Sequence, residues 1–88
     1  MEISYTPSFV RQYKSLPATL KEEVKAKILL FSHETNHHSL KVHKLKGKLK
    51  EQYSFNVNYR IRIVFWYKNT KPKTAVLLAI GDHDVYDR

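Results

Sequence analysis

The spacing of hydrophobic residues changes along the chain, from helical intervals near the start to strict alternation in the second half. Ile3 and Tyr5 alternate with polar neighbours and predict a short first strand. Thr6 and Pro7 then mark a helix start, with Thr6 as the N-cap and Pro7 at the first helical position. The apolar stripe of this first helix is expected to consist of Phe9, Tyr13 and Leu16.

A second helix is predicted directly after the first. Pro17 separates the two helices and suits the first turn of the second. Apolar side chains then recur at helical spacing, at Leu20, Val24, Ile28 and Phe31. The outer face carries charged side chains, at Lys21, Glu22, Lys25 and Lys27. Two antiparallel helices joined by a tight turn are therefore expected.

From residue 53 onward the pattern indicates β-structure. Apolar residues occupy alternate positions over fifteen residues, at Tyr53, Phe55, Val57, Tyr59, Ile61, Ile63, Phe65 and Tyr67. One strand of that length would be unusual, so a turn near Asn58 and Tyr59 should divide it into a hairpin. We expect the three tyrosines of this run in the core or at the sheet rim. After a turn at 69–73, the apolar run 74–80 predicts a strand in the middle of the sheet.

The order of elements predicts an α+β fold in which residues 1–88 form a single domain. The order β-α-α-β-β-β gives a small, four-stranded, mainly antiparallel sheet with the helix pair covering one face. The side chains expected to face the helices are Phe55, Val57, Ile61 and Ile63. Those expected on the opposite face are Ser54, Asn56, Arg60 and Arg62. This opposite face is the expected place of function.

The charge of the chain favours a polyanion or an acidic protein as partner. Sixteen Lys and Arg oppose eight Asp and Glu, a net charge of +8. Five lysines concentrate this charge in the middle of the chain, at Lys41, Lys44, Lys46, Lys48 and Lys50. We expect these lysines, together with Arg60, to bind RNA phosphates. A basic surface that serves solubility alone is the alternative.

Several sequence features favour a soluble, cytoplasmic protein. The chain contains no cysteine, so no disulfide and no thiolate are available. Its longest apolar run, 75–80, is far shorter than the roughly 20 residues of a membrane-spanning helix. The first residues lack the basic and apolar regions of a signal peptide. No membrane partner is expected.

Four side chains could together cleave RNA: His43, Arg62, His83 and Tyr86. When an RNA 2′-hydroxyl attacks the adjacent phosphate, the reaction needs a base for its proton, a cation on the phosphate and an acid for the 5′-oxygen. Histidine can be base or acid near pH 7, and arginine offers a permanent forked donor to phosphate oxygens. Neither a metal nor a cofactor is needed.

Each of these residues also has a structural explanation. Arg62 could form an ion pair with Asp82 or Asp84, and Tyr86 could serve packing alone. His43 could simply be solvated, and His83 could cap the end of the sheet or pair with Asp84. A second histidine cluster, His33, His37 and His38, raises the question of a metal site. Zinc usually has three or four protein ligands and no cysteine is present, so a polar helix end is the expected role.

Three segments resemble the RelE/ParE toxin superfamily, and the likeness covers nearly the whole chain. Segment 43–47 resembles the histidine-x-leucine-x-glycine segment of YafQ-like toxins, in which the histidine is catalytic. Segment 59–65 resembles the Tyr-Arg-Leu-Val-Tyr strand of RelE, with Arg62 at the position of the phosphate-binding arginine. Segment 81–86 resembles the closing segment, in which a basic residue and an aromatic complete the site.

The resemblance implies a RelE-like fold and the toxin of a type II toxin–antitoxin system. Such a toxin is an endoribonuclease that cleaves mRNA on the ribosome, leaves a 2′,3′-cyclic phosphate or 3′-phosphate, and is inhibited by a cognate acidic antitoxin. Two strand lysines of RelE correspond here to Ser54 and Asn56. His43 would then replace them as base, with His83 as acid. A ParE-like inhibitor of DNA gyrase and a non-catalytic nucleic-acid-binding domain are the alternatives.

Overall fold

The computed structural model describes residues 1–47, 51–82 and 85, and it contains both predicted helices. The elements are β1 (Glu2–Tyr5), α1 (Pro7–Lys14), α2 (Ala18–Phe31), β2 (His43–Lys44), β3 (Tyr53–Asn56), β4 (Arg62–Lys68) and β5 (Thr74–Gly81), with a short 3₁₀ turn at Glu34–Asn36. Within the described ranges, no helix is long and apolar enough to cross a membrane.

The first helix begins where the sequence predicted. Thr6 Oγ1 accepts a hydrogen bond from the backbone amide of Phe9 at 3.1 Å, which is the N-cap interaction. The same hydroxyl donates to the carbonyl of Leu77 at 3.0 Å. The cap therefore also joins the start of α1 to β5.

The second helix contributes the centre of the core. Val24, Ile28 and Phe31 are its buried side chains. The Phe31 ring stacks on Phe55, with the ring centroids 4.2 Å apart, and meets the Phe65 ring edge-on at 4.7 Å. One aromatic side chain of α2 thus fixes the helix against two strands.

The sheet has the strand order β1-β5-β4-β3-β2. β1 pairs with β5 in parallel, and every other neighbouring pair is antiparallel. β5 lies between β1 and β4, inside the sheet as its apolar run predicted, and its buried side chains are Ala75, Leu77 and Ile80.

The predicted strand count was one too low, because the sheet has five strands rather than four. The additional strand is β2, and it places His43 in the sheet. β2 has two residues, and two residues cannot show an alternation. Only its pairing with β3 defines it.

β5 extends beyond the end of β1, and there its backbone forms hydrogen bonds with other groups. β1 ends at Tyr5, which lies opposite Leu77. Beyond this point the side chain of Gln12 takes over, and its Oε1 accepts from the backbone amide of Ile80 at 2.9 Å. Helix α1 therefore completes the hydrogen bonding of this edge.

The main core lies between the helices and one face of the sheet, which we call the helix face. Its buried residues are Phe9, Val24, Ile28, Phe31, Leu40, Phe55, Val57, Ile61, Ile63, Phe65, Ala75, Leu77 and Ile80. The four hairpin residues predicted to point at the helices are all in this cluster. The opposite face of the sheet, called the second face below, carries the candidate site.

The second face is not fully open, contrary to the expectation from alternation. Ser54 is 0% and Val64 is 4% exposed, although both belong to the alternate set of positions that points away from the helices. Val85, which follows β5, is 3% exposed. Alternation assigns a side chain to a face, but it does not tell what covers that face.

Candidate active site

The strand register brings His43 and Arg62 to the second face. His43 lies opposite Ser54, and Arg62 lies opposite Asn56 on one side and Gly81 on the other. Residues directly opposite one another in antiparallel strands point to the same face. The Cα atoms of His43 and Arg62 are separated by two strand spacings across the sheet and by two residues along the strand, which gives a distance of about 12 Å. Side chains of this length could contact neighbouring groups of one bound RNA strand.

The imidazole of His43 is oriented by the backbone just before it. Lys41 has a left-handed conformation, with φ of 57°, which turns the chain into β2. The carbonyl of Lys41 lies 2.8 Å from His43 Nδ1. Because a carbonyl can only accept, this contact favours the proton on Nδ1 and leaves the lone pair of the neutral ring on Nε2. In this tautomer, Nε2 carries the lone pair with which a general base accepts a proton.

The guanidinium of Arg62 turns toward the loop between β3 and β4. Nη1 donates to the carbonyls of Asn58 at 2.6 Å and Ile61 at 3.3 Å, and Nη2 donates to the carbonyl of Tyr59 at 2.8 Å. Within the described residues Arg62 forms no ion pair with Asp82, one of the two acidic partners that the sequence offered. A guanidinium carries five N–H groups, so these three contacts leave donors for a phosphate.

Asn58 organises the loop that Arg62 contacts, a role that the sequence analysis did not assign to it beyond predicting a turn there. Its Oδ1 accepts from the backbone amides of Arg60 at 2.9 Å and Ile61 at 2.8 Å. Its Nδ2 donates to Glu23 Oε1 at 2.9 Å. The side chain thus replaces backbone partners inside the turn, as Asn does in turns generally.

Replacing Asn58 with alanine is expected to lower the free energy of unfolding by about 1–2 kcal/mol, because two turn amides lose their acceptor. Urea denaturation measures this loss. Glu23→Ala is the matched control: it removes only the exposed contact of Asn58 Nδ2 and should cost no more than about 0.5 kcal/mol. Equal losses in the two variants would show that the turn does not depend on Oδ1.

Among the predicted RNA-binding cations that the structure describes, Lys44 differs from the other three. Lys41, Lys46 and Arg60 are exposed. Lys44 alternates with His43 along β2, so it belongs to the opposite face, and its Nζ lies 3.1 Å from Glu51 Oε1. This hydrogen bond and the charge of Glu51 raise the pKa of Lys44. Lys48 and Lys50 lie outside the described residues.

Positive charge is little compensated within the described part of the chain. Two ion pairs form between described residues, Lys25 with Glu22 and Lys44 with Glu51. Both are exposed pairs of the kind that contribute little to stability. The net charge of +8, which ion pairing does not change, favours a polyanion as partner.

Val85 lies near Gly81, on the second face beside Arg62. Gly81 lies opposite Arg62, and a Cβ placed on Gly81 would lie 3.5 Å from the Cβ of Val85. The backbone amide of Val85 donates to the carbonyl of Asp82 at 3.0 Å. His83 and Tyr86, the predicted acid and aromatic residue of the site, lie outside the described residues, and their roles stay predictions.

Beyond the candidate site, the second face continues into a groove that the sequence did not indicate. Trp66, Val76 and Ser4 form one row across three strands, and Lys68, Thr74 and Glu2 form the next. The groove has a volume of about 630 Å³, and Lys71 and Pro72 also line it. An aromatic ring beside two lysines suits a nucleic-acid strand, whereas Glu2 opposes it.

The histidine cluster after α2 has a packing role at His37. Its Nε2 lies 2.8 Å from the carbonyl of Phe31, and its ring stacks on the Phe31 ring at a centroid distance of 4.8 Å. Across the residues that the structure describes, no group of three or more metal-ligating side chains is arranged to hold an ion.

Comparison with known proteins identifies the fold. No family model and no curated protein sequence matches the chain. The intact Escherichia coli RelBE toxin–antitoxin complex matches with a TM-score of 0.70 and 16% identity, over 92% of this chain and 94% of that one. The archaeal RelE–RelB complex of Pyrococcus horikoshii OT3 matches with a TM-score of 0.67 and 17% identity, over 92% of each chain.

A third similar structure is a dimer of YoeB. The YoeB dimer of Staphylococcus aureus matches with a TM-score of 0.68 and 23% identity, over 94% of this chain and 97% of that one. All three matches extend over almost the full length of both chains. The chain therefore has the RelE-like fold.

Proposed function

We propose that this protein is the toxin of a type II toxin–antitoxin system and that it cleaves mRNA on the ribosome. The observation that supports this most is the strand register, because it brings a candidate base, His43, and a candidate phosphate ligand, Arg62, to one face of the sheet. The RelE-like fold is the second support. Two of the similar structures are complexes of a toxin with its antitoxin.

The proposed reaction is an attack of the RNA 2′-hydroxyl on the adjacent phosphorus. His43 Nε2 takes the proton of the 2′-hydroxyl while the new P–O bond forms. N–H groups of Arg62 stabilise the negative charge that grows on the phosphoryl oxygens. The bond from phosphorus to the 5′-oxygen breaks, and the leaving oxygen takes a proton from an acid, the role assigned to His83. The products are a 2′,3′-cyclic phosphate and a free 5′-hydroxyl, and Tyr86 completes the site by contact with the nucleotide.

The proposed partners follow from the charge. Lys41, Lys46 and Arg60 would contact phosphates of mRNA or ribosomal RNA, together with the lysines at 48 and 50; Lys44 would do so only by leaving Glu51. Each phosphate contact releases counterions, so binding should weaken as salt concentration rises. The same charge would attract an acidic antitoxin, which silences the toxin by covering it.

Primer extension on a defined mRNA, with and without programmed ribosomes, tests this proposal. The wild-type protein should produce discrete cuts that require the ribosome. A second mRNA with a 2′-deoxynucleotide at the mapped position should resist cutting there, because the attacking hydroxyl is missing, while cuts at other positions continue. We expect the loss at that position to be complete within detection.

Two results would contradict the proposal. Cutting at the 2′-deoxy position would show that another nucleophile attacks the phosphate. Absence of cuts with any substrate, combined with inhibition of DNA supercoiling by gyrase, would favour the ParE-like alternative. A catalytically inactive control is provided by the denatured protein, and the ribosomes alone report background cleavage.

A further inference from the structure

Tyr59 is the most exposed of the large hydrophobic side chains that the structure describes. It is 84% exposed and lies in the turn between β3 and β4. The sequence pattern had placed it in the core or at the sheet rim, and this prediction is wrong because the turn interrupts the alternation. Its neighbours in the pattern, Val57 and Ile61, are buried. The ring therefore contributes little to the core and is presented to solvent.

The turn that carries Tyr59 is held in place from several sides. Asn58 Oδ1 accepts from two turn amides, and the amide of Val57 donates to the carbonyl of Ile61 at 2.9 Å. The carbonyl of Tyr59 itself accepts from Arg62 Nη2 at 2.8 Å. A fixed backbone lowers the entropy that the ring would lose on binding, so a rigid exposed aromatic is suited to recognition.

The surroundings of the ring favour an anionic polymer with flat bases. Arg60 follows Tyr59 directly and is exposed, and the guanidinium of Arg62 contacts the same turn. The acidic side chain in contact with the turn is Glu23, and its Oε1 accepts from Asn58 Nδ2. Aromatic rings beside arginines bind single-stranded nucleic acids by stacking on bases and contacting phosphates.

We propose that Tyr59 stacks on an unpaired base of the RNA strand, next to the phosphate that Arg62 contacts, and that Arg60 contacts the backbone beside it. Tyr59 is then a positioning residue, because it touches a base and not the reacting atoms. This inference rests on the proposed function in taking RNA as the substrate. Because every base has a face, the stacking sets the register of the strand and little of its sequence preference.

A single-stranded RNA oligonucleotide carrying 2-aminopurine tests this proposal, since stacking quenches the fluorescence of that base. Wild type should quench the signal at saturation. Tyr59→Ala should weaken binding about tenfold and abolish the quenching, because stacking on an aromatic ring contributes substantially to affinity. Tyr59→Phe, which keeps the ring, should remain within about twofold of wild type.

Two control variants separate stacking from other effects. Leu29 is 66% exposed on α2, so Leu29→Ala removes an exposed apolar side chain elsewhere and should leave binding and quenching unchanged. Tyr59→Ala removes no charge, so the dependence of affinity on salt should keep its slope. Arg60→Ala should reduce that slope by about 0.7, the value for one phosphate contact on a single strand.

Wild-type affinity and quenching in Tyr59→Ala would overturn the inference, as would failure of Tyr59→Phe to retain both. A change in the sedimentation of Tyr59→Ala with unchanged RNA affinity would overturn it in favour of a contact between copies of the chain. Cleavage of programmed mRNA by the wild type is measured in parallel. If the wild type cleaves while Tyr59→Ala binds RNA with wild-type affinity, the stacking role fails and the nuclease proposal stands. If the wild type does not cleave, the nuclease proposal itself fails.

Discussion

Replacing Arg62 with alanine is expected to lower the rate of mRNA cleavage by about a hundredfold or more, the usual cost of losing a donor to the developing negative charge. The variant loses the guanidinium that would contact the phosphate on the second face of the sheet. Single-turnover cleavage on programmed ribosomes measures the effect on the chemical step. Arg62→Lys keeps the charge but not the forked geometry, so it should restore only part of the rate.

Folding must be measured in the same variants, because Arg62 also contacts three carbonyls of the β3–β4 turn. These contacts are partly exposed, and water can replace the guanidinium there, so a loss of no more than about 1 kcal/mol in unfolding free energy is expected. Arg11→Ala, which removes an exposed arginine from α1, is the matched control for net charge. Undiminished cleavage by folded Arg62→Ala would mean that Arg62 only shapes the turn.

Replacing Phe31 with alanine is expected to destabilise the protein by about 3–5 kcal/mol, the usual cost of removing a buried phenyl ring. Phe31 is fully buried and contacts the rings of Phe55, Phe65 and His37. A small domain has a total stability of about 5–15 kcal/mol, so this one change removes a large part of it. Urea denaturation followed by circular dichroism gives both values.

Leu29 provides the comparison for Phe31 within the same helix. Because its side chain is 66% exposed, Leu29→Ala should change the unfolding free energy by no more than about 0.5 kcal/mol. If the two variants lost similar stability, the ring cluster around Phe31 would not be the centre of the core.

The elements that the sequence predicted well are those with a repeated local signal. Helix α1 begins with a capping residue followed by proline. The hydrogen bond that the backbone amide of Phe9 donates to Thr6 Oγ1 is the interaction that this pair predicts. The alternation from residue 53 onward located β3 and β4 and the turn between them. The apolar run of β5 predicted its interior position in the sheet.

The features that the sequence did not predict depend on contacts between distant residues. β2 is defined by its pairing with β3, and a strand of two residues is too short to show a local sequence pattern. Ser54 and Val64 are buried on the second face, where Val85 is buried too, whereas alternation alone assigned that face to solvent.

At the candidate site, the sequence predicted the face on which a side chain lies but not the direction in which the side chain points. The sequence assigned Arg62 to the second face, and the register agrees. The direction of its guanidinium, toward the carbonyls of Asn58, Tyr59 and Ile61, depends on the shape of the turn, which the asparagine side chain sets. Side-chain hydrogen bonds of this kind have no periodic signature in a sequence.

The nuclease site is tested most directly by cleavage of programmed mRNA by His43→Ala, compared with the wild type and with His38→Ala. His38 is an exposed histidine outside the second face of the sheet, so its variant controls for the loss of an imidazole. We expect His43→Ala to remain folded and to lose cleavage by about a hundredfold or more, since it lacks the general base, while His38→Ala cleaves at the wild-type rate. Cleavage by His43→Ala at the wild-type rate and at the same positions would contradict the assignment of His43 as the base of a nuclease site.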